Sequence, residues 1–369
     1  MAYRTATITN ASPALALCQE IEAGFGEHAN WDYVKDVVIG TFTYRVWKNR
    51  GTGSGANAFG QDYFLAFRYL TASGGTDLRV LAFEAFTPSD PPAWAASAAY
   101  TVGTFVKPTN TGANPYLFEV TTAGTSAATE PVWPTALGAT VTNGTTVFTN
   151  RGALNKAIRP CVGATSSLTP NANGSHGDET NGFGLDSATL VYASITVPTT
   201  TFTAYTSVSN ERVCCAVNYS TTDHAFYAGL FEPLSSSETF PLVVIATNGQ
   251  ENAFTVDCGV SRHPGRTAAA TDNFKFHLAG WTQISGTTQT SDLFHSGGLA
   301  SRALLKTLNA DAATYGNARG LLHDAILLPD GGTATRNGDT LTISGQAYTK
   351  MRFGNYGFAS GAWVRQSVI

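Results

Sequence analysis

Short runs of aromatic and β-branched residues, each closed within about ten residues by Gly, Pro, Asn or Asp, recur along the chain and constrain it to antiparallel β structure. A first series reads as strands at 33–39, 41–47, 63–69 and 78–86, separated by turns such as Gly51-Thr52-Gly53-Ser54-Gly55. A second covers 190–197, 202–208, 213–219, 226–231 and 242–246, and a third covers 321–328, 340–344, 347–353 and 362–368. Asn337-Gly338-Asp339 supplies a turn before the last hairpin. No fixed period links the runs, which disfavours a propeller or solenoid. The expected fold is mainly β, an antiparallel sandwich or barrel-like framework with few short helices.

Two segments carry helical spacing instead. Ser12-Pro13 followed by Leu15, Cys18, Ile21 or Glu22 and Phe25 predicts an amphipathic helix, with Ser12 as N-cap and Gly24 or Gly26 at its stop. A second short helix is predicted at 301–308, capped by Ser301 with Leu304, Leu305 and Leu308 inward.

Between the first and second series, Phe86-Thr87-Pro88-Ser89-Asp90-Pro91-Pro92 has the composition of a linker. Beyond it, Trp94, Tyr100, Gly103 and Val106 lead to the strand Tyr116-Leu117-Phe118-Glu119-Val120. Glu130-Pro131-Val132-Trp133-Pro134 and Gly138-x2-Val141-x2-Gly144-x2-Val147-Phe148 close the stretch. This predicts an inserted small β module at 91–152, between an N-terminal region at 1–90 and its continuation at 153–369. Such an insertion belongs on an exposed loop, with its ends close together and a core of its own.

Charged residues make up 13% of the 369, against roughly 25% in ordinary globular chains. A neutral, hydroxyl-rich surface of this kind suits closely packed, repeated subunits. The formal charge of −4, with 22 Lys and Arg scattered along the chain, offers no footprint for nucleic acid. No apolar run reaches the ~20 residues of a membrane-spanning helix. The N-terminus, Met1-Ala2-Tyr3-Arg4-Thr5, lacks a signal peptide's pattern, so synthesis and assembly in a cytoplasm are expected.

Motifs for catalysis are missing from the sequence. Cys18, Cys161, Cys214, Cys215 and Cys258 show no CxxC spacing and read as buried thiols, though one of the adjacent pair Cys214-Cys215 could face a neighbouring subunit. His28, His224, His263, His277, His295 and His323 lie far apart, with no HExxH pattern. Asn171, Asn173, His176, Asp178 and Glu179 offer oxygen donors for a calcium-like ion but lack EF-hand order, and read as a solvated loop. The Gly51 to Gly55 stretch lacks the Lys-Ser or Lys-Thr of a phosphate loop, and no GxSxG elbow occurs. No catalytic residue, metal site or cofactor is assigned.

The first part of the module resembles the small chitin-binding modules of chitinases, carbohydrate-binding families 5 and 12. Its longer form, with Glu130-Pro131-Val132-Trp133-Pro134 and the Gly138 to Val147 tail, is similar to a module of bacteriophage virion proteins. The resemblance leaves two roles open for Trp94, Tyr100, Tyr116 and Trp133, glycan contact or module core. The tandem aromatic pair that should follow the central strand is replaced here by Thr121-Thr122, which favours the core. Outside the module, Tyr44-Arg45-Val46-Trp47, Asp62 to Arg68, Leu81 to Phe86, Val213 to Val217, Phe226 to Pro233 and Phe240 to Val244 resemble tailed-phage tail or baseplate proteins. The resemblances imply a non-enzymatic virion component, a homo-oligomer assembling with other virion proteins, without nucleic acid or membrane insertion. The alternative they leave is an adhesin for a host glycan or receptor, or a capsid-surface decoration.

Overall fold

The structure, a computed structural model, describes residues 2–39, 41–70, 74–86, 91–109, 116–136, 138–153, 156–157, 193–219, 222–234, 241–247, 259–261, 275–278, 281–284, 287–290, 301–308, 318–327, 336–351 and 362–366. It is mainly antiparallel β. The described residues fall into two compact units, one of residues 2–82 and 193–366 and the other of residues 83–157. The elements run β1 (Ala2–Ile8), α1 (Pro13–Gly26), β2 (Trp31–Ile39), β3 (Phe42–Asn49), β4 (Tyr63–Leu70) and β5 (Asp77–Ala85). Then come β6 (Ala99–Tyr100), β7 (Phe105–Val106), β8 (Tyr116–Thr122), β9 (Gly124–Thr125), β10 (Thr140–Asn143), β11 (Thr146–Ala153) and β12 (Lys156–Ala157). The chain resumes with β13 (Ala193–Thr196), β14 (Phe202–Val208), β15 (Arg212–Tyr219), β16 (Thr222–Pro233), β17 (Leu242–Thr247) and β18 (Gly259–Ser261). It ends with β19 (Lys275–Leu278), β20 (Trp281–Ile284), β21 (Thr287–Thr290), β22 (Ser301–Leu308), β23 (Ala318–Leu327), β24 (Thr340–Ile343), β25 (Gln346–Met351) and β26 (Ala362–Arg365).

In the larger unit, α1 is the one helix among the described residues. Pro13 sits in its first turn, where a missing N–H costs nothing. Ser12 holds the N-cap position without a side-chain capping bond, and its N–H donates instead to Asn10 Oδ1 at 2.8 Å. The buried face is Ala14, Leu17, Cys18, Ile21 and Phe25, a stripe at helical spacing. Leu15 packs at its margin rather than at its centre. Burying Leu17, Ile21 and Phe25 contributes about 1.5–3 kcal/mol each. Their partners are Leu65, Phe67 and Val80 of one sheet and Ala204, Val208, Val217 and Phe226 of another. The Phe25 ring stacks on Trp31 at 4.3 Å, and Phe67 reaches Phe226 at 6.1 Å.

The long sheet of this unit runs β1-β14-β15-β16-β23-β26-β25-β24. Strand β23 changes partner along its length. Gly320, Leu321 and Leu322 pair with Pro233, Glu232 and Phe231 of β16, whereas Ala325, Ile326 and Leu327 pair with Val364, Trp363 and Ala362 of β26. His323 and Asp324 form the step between, and Asp324 has a left-handed φ of 55°. The second predicted helix is wrong: 301–308 is strand β22, with Ser301 opposite Leu327 and Arg302 opposite Ile326. Its leucines fit a helical stripe, but the paired backbone of β23 and β19 overrides that local preference.

Cys18, Cys214 and Cys215 are fully buried free thiols. Neither member of the adjacent pair faces outward, because both sides of β15 are covered. Cys215 packs in the main core, and Cys214 points to the opposite side beside Arg212. Cys161, Cys258 and the polar loop with Asn171, Asn173, His176, Asp178 and Glu179 lie outside the described residues.

The smaller unit has a four-stranded sheet ordered β10-β11-β8-β7 and a two-stranded pair of β6 with β9. It starts before the linker, at Phe83, and reaches Ala157 because Lys156 pairs with Ala85 and Ala157 with Phe83.

Two hairpins, one in each unit, share one geometry. In β10–β11, Thr140, Val141, Thr142 and Asn143 oppose Thr149, Phe148, Val147 and Thr146; in β24–β25, Thr340, Leu341, Thr342 and Ile343 oppose Thr349, Tyr348, Ala347 and Gln346. Each opens on a left-handed glycine, Gly138 at φ 78° or Gly338 at φ 93°. The N–H of each glycine donates across the hairpin mouth, to Asn150 O at 2.9 Å or Lys350 O at 3.0 Å.

Candidate functional site

The four aromatic residues singled out in the sequence come together in the smaller unit. Phe118 and Val120 of β8 point to one side of its sheet, where they meet Val106, Phe148, Trp94 and Trp133 in a closed core. Trp133 is 6% exposed, and its ring lies 4.3 Å from Phe118 and 5.3 Å from Phe148. Tyr100 and Tyr116 pack against the same cluster from its margin, with the Tyr100 ring 5.4 Å from Phe148. This is the geometry of a small hydrophobic core. It leaves no free aromatic face on either tryptophan for a sugar ring to lie on.

Polar groups lock that core in place. Trp133 Nε1 donates to Glu130 Oε1 at 2.8 Å, and the same oxygen accepts the Thr109 N–H at 2.6 Å. The Thr109 hydroxyl donates to the other carboxylate oxygen. Tyr100 Oη accepts the Ala95 N–H at 2.7 Å, and Ser126 Oγ donates to Ala95 O at 2.7 Å. Asn143 spans the loop, accepting from Ala127 N at 3.0 Å and donating to Thr129 O at 2.9 Å. The Glu-Pro-x-Trp-Pro motif is therefore a brace: its carboxylate ties the tryptophan to the chain after β7.

The opposite face of the same sheet carries the accessible groups. Phe105 of β7 is 39% exposed and stands directly across from Glu119 of β8. Glu119 Oε2 accepts from Arg151 Nε at 2.6 Å and is in register with Thr149, which is in register with Thr140. Thr121 Oγ1 lies 3.0 Å from Thr149 Oγ1. Phe105, Glu119 and Arg151 were not picked out from the sequence. The signal was there, because Phe118 and Val120 inward in an alternating strand require Leu117, Glu119 and Thr121 outward.

A second concentration of ionisable groups surrounds the partner change of β23. Arg212 is fully buried, and its Nη1 donates to Ser207 O and Ser207 Oγ, both at 2.8 Å. Its Nη2 reaches Arg365 O at 3.5 Å and Asp324 Oδ2 at 3.6 Å. Tyr227 Oη accepts the His323 N–H at 3.2 Å, and Tyr63 Oη donates to Glu211 O at 2.8 Å. Burial holds the His323 imidazole below its ordinary value, although Glu211, Asp324 and Glu232 oppose the shift. Burial also pushes the Cys214 thiol up to about 12, against the neighbouring Arg212 charge. A thiol so held is a poor nucleophile. Arg212 serves as a cross-brace, tying β15 to β14 and β26.

Among the described residues, no group of three or more His, Cys, Asp or Glu side chains is placed to hold a metal ion, and no helix is long and apolar enough to cross a membrane. The chain matches no protein-family model, and a search of curated proteins finds no significant relative.

Proposed function

We propose that this chain is a non-enzymatic structural protein of a tailed-bacteriophage virion, placed in the tail or baseplate, with the smaller unit as an attachment-type module. It works without a cofactor, in contact with other virion proteins and copies of itself. The observation that carries the reading is the state of the sheet edges. Among the described residues, β1 pairs only with β14, β2 only with β3 and β24 only with β25. Strand β2 is blunted as edges of monomers are: its register shifts between Tyr33 and Lys35, and Asp32 and Asp36 pair with Arg50 and Arg45. Strand β24 is only four residues long. Strand β1 also carries an ion-paired charge, Arg4 with Glu20 and Glu27, but it runs for seven residues in unbroken register with β14 and without proline. An edge of that kind is a template for another strand, and a chain with 13% charged residues does little to repel one. The resemblance of the framework and module to virion proteins supplies the setting.

A second reading, a glycan- or receptor-binding adhesin or a capsid-surface decoration, is favoured by the accessible face bearing Phe105 and Glu119. Fractionation of purified particles followed by peptide mass spectrometry separates the readings from an enzyme. The chain is expected in intact particles at a fixed ratio to other tail proteins. Recovery only as free soluble protein, with turnover of cell-wall sugars, refutes the structural assignment.

A further inference from the structure

We propose that strand β1 pairs antiparallel with β1 of a second copy, two-fold about Thr5, so that the long sheets of two chains join edge to edge. The pairing rests on the reading of β1 as an assembly edge and extends it by naming the occupant, its direction and its register. Among the described residues β14 is the one neighbour of β1, in register from Ala2 opposite Val208 to Ile8 opposite Phe202. In a strand paired on one side, half of the backbone N–H and C=O groups point to the other side, where a second strand can take them.

The side chains of β1 select that strand. Ala2, Arg4, Ala6 and Ile8 share one face, and Tyr3, Thr5 and Thr7 share the other. The first face is covered by its own chain: Ala2 and Ile8 lie in the core, Ala6 packs against it, and Arg4 is held by Glu20 at 2.7 Å and Glu27 at 2.6 Å. On the second face Thr5 and Thr7 are exposed. Two such sheets continue into one another only if residues of the same face stand opposite, which restricts the register to those centred on a residue. Centred on Thr5, the whole of β1 pairs, Ala2 with Ile8, Tyr3 with Thr7, Arg4 with Ala6 and Thr5 with Thr5. Each unlike pair sets a larger side chain against a smaller one, and the one charge of the strand meets an alanine. Centred on Arg4, only Ala2 to Ala6 pair and two guanidiniums stand directly opposite, a like-charge contact that opposes association. Centred on Ala6, only Arg4 to Ile8 pair. Self-complementarity along a strand is what an isologous two-fold contact requires, and a strand from a different protein makes no such demand. Arg4 is already neutralised within its own chain, so the edge carries no charge that calls for an acidic or basic partner. Seven paired residues bury less than the standard ~800 Å² on each side, so the free dimer should be weak, with a dissociation constant of about 100 μM, and gain from repetition in an assembly.

Single cysteines read both partner and register. Residues directly opposite in an antiparallel pair have Cα atoms about 4.5–5.5 Å apart, within reach of a disulfide. Each variant of the full chain is oxidised at about 200 μM, twice the expected dissociation constant, and dimers are counted on non-reducing gels. The wild-type chain, whose Cys18, Cys214 and Cys215 are buried, gives the background. Thr5→Cys should cross-link to itself. Tyr3→Cys and Thr7→Cys should each stay at background alone, because each lies about 14 Å along the strands from its own copy, and should cross-link when mixed. Melting temperatures equal to that of the wild type show that the variants fold; if Thr5→Cys does not, the mixture of Tyr3→Cys with Thr7→Cys carries the test. Background-level cross-linking by all folded variants overturns the proposal. Cross-linking of Thr5→Cys with Thr7→Cys, but not of Thr5→Cys with itself, overturns the register. Mass spectrometry of purified particles scores the virion reading by itself: a chain present in particles that fails to cross-link refutes the β1 pairing alone, and a chain that cross-links but is absent from particles refutes the virion reading alone.

Discussion

Replacing Trp133 by Ala removes the ring that closes the smaller unit's core. The indole buries about 200 Å², which at about 25 cal/mol per Å² amounts to about 5 kcal/mol. Partial collapse of the site and an already compact unfolded chain reduce this, giving an expected loss of about 3–5 kcal/mol. A module of this size rarely has more than about 3–5 kcal/mol of stability to lose. The variant should therefore unfold the module while sparing the framework. Hydrogen exchange measured by mass spectrometry on the full chain reads both units at once: peptides over β8 and β11 should lose protection, and those over β15 should retain it. Val132→Ser is the control, because its neighbouring side chain is 92% exposed and the change should stay within about 0.5 kcal/mol. If Trp133→Ala slows or speeds exchange in β8 by less than about tenfold, equivalent to about 1.4 kcal/mol, the ring is not a core element and the packing argument fails.

Acidification should weaken the framework. Burial lowers the pKa of His323 and His28 below 6.5, so their contribution is complete above the unfolded value and is lost as pH falls from about 6.5 through the lower folded values. Urea denaturation followed between pH 8 and pH 5 should show the decline, and the double variant His28→Gln, His323→Gln should flatten it. Cys18, Cys214 and Cys215 should resist iodoacetamide in the native chain and react after unfolding, since all three are buried and burial pushes Cys214 and Cys215 up to about 12. Site-resolved peptide mapping would expose an error if any of them labels at native protection levels near zero. Thr5→Lys with Thr7→Lys, two exposed positions on β1, should block self-association seen by sedimentation while leaving the melting temperature nearly unchanged. Gly338→Ala should destabilise the C-terminal hairpin more than Gly138→Ala destabilises its counterpart. Both glycines are left-handed, but only at Gly338 would the added carbon meet a neighbour, the Tyr205 ring at 2.1 Å.

The strands were readable where one face of the pattern was apolar and the ends were marked by Gly or Asn. β8, β14 and β25 alternate in this way, while β4 and β15 are apolar on both faces and were legible as short continuous apolar runs; each lies within a residue or two of its expected place. Residues 301–308 failed because Leu304, Leu305 and Leu308 satisfy a helical stripe, and the pairing with Leu327, Ile326 and Leu321 of β23 that decides the matter is remote in sequence. For Trp94 and Trp133 the sequence left glycan contact or module core open, and the missing aromatic pair at Thr121-Thr122 only favoured the core; both side chains are buried in the structure. The row from Phe105 to Thr140 could not be read from the sequence. It depends on three strand registers, and register between distant segments leaves no local mark. The Arg212 cluster was hidden for the same reason: a lone arginine in an apolar strand names neither Asp324 nor Arg365 as its partner.

The partner change of β23 has a mechanical consequence. Tension along that strand passes from its pairs with Phe231, Glu232 and Pro233 to its pairs with Ala362, Trp363 and Val364, and the transfer runs through His323 and Asp324. Hydrogen bonds within each half are loaded side by side and share the force, whereas across the step the load is divided between His323 and Asp324 and strand β22, which pairs with Gly320 and Leu321 before the step and with Ile326 and Leu327 after it. Arg212 provides a further parallel route, through Ser207 and the Arg365 carbonyl. Under a pulling load the step should therefore act as a splice, in which the change of partner on one edge of β23 is spanned by β22 on the other and stiffened by a guanidinium strut.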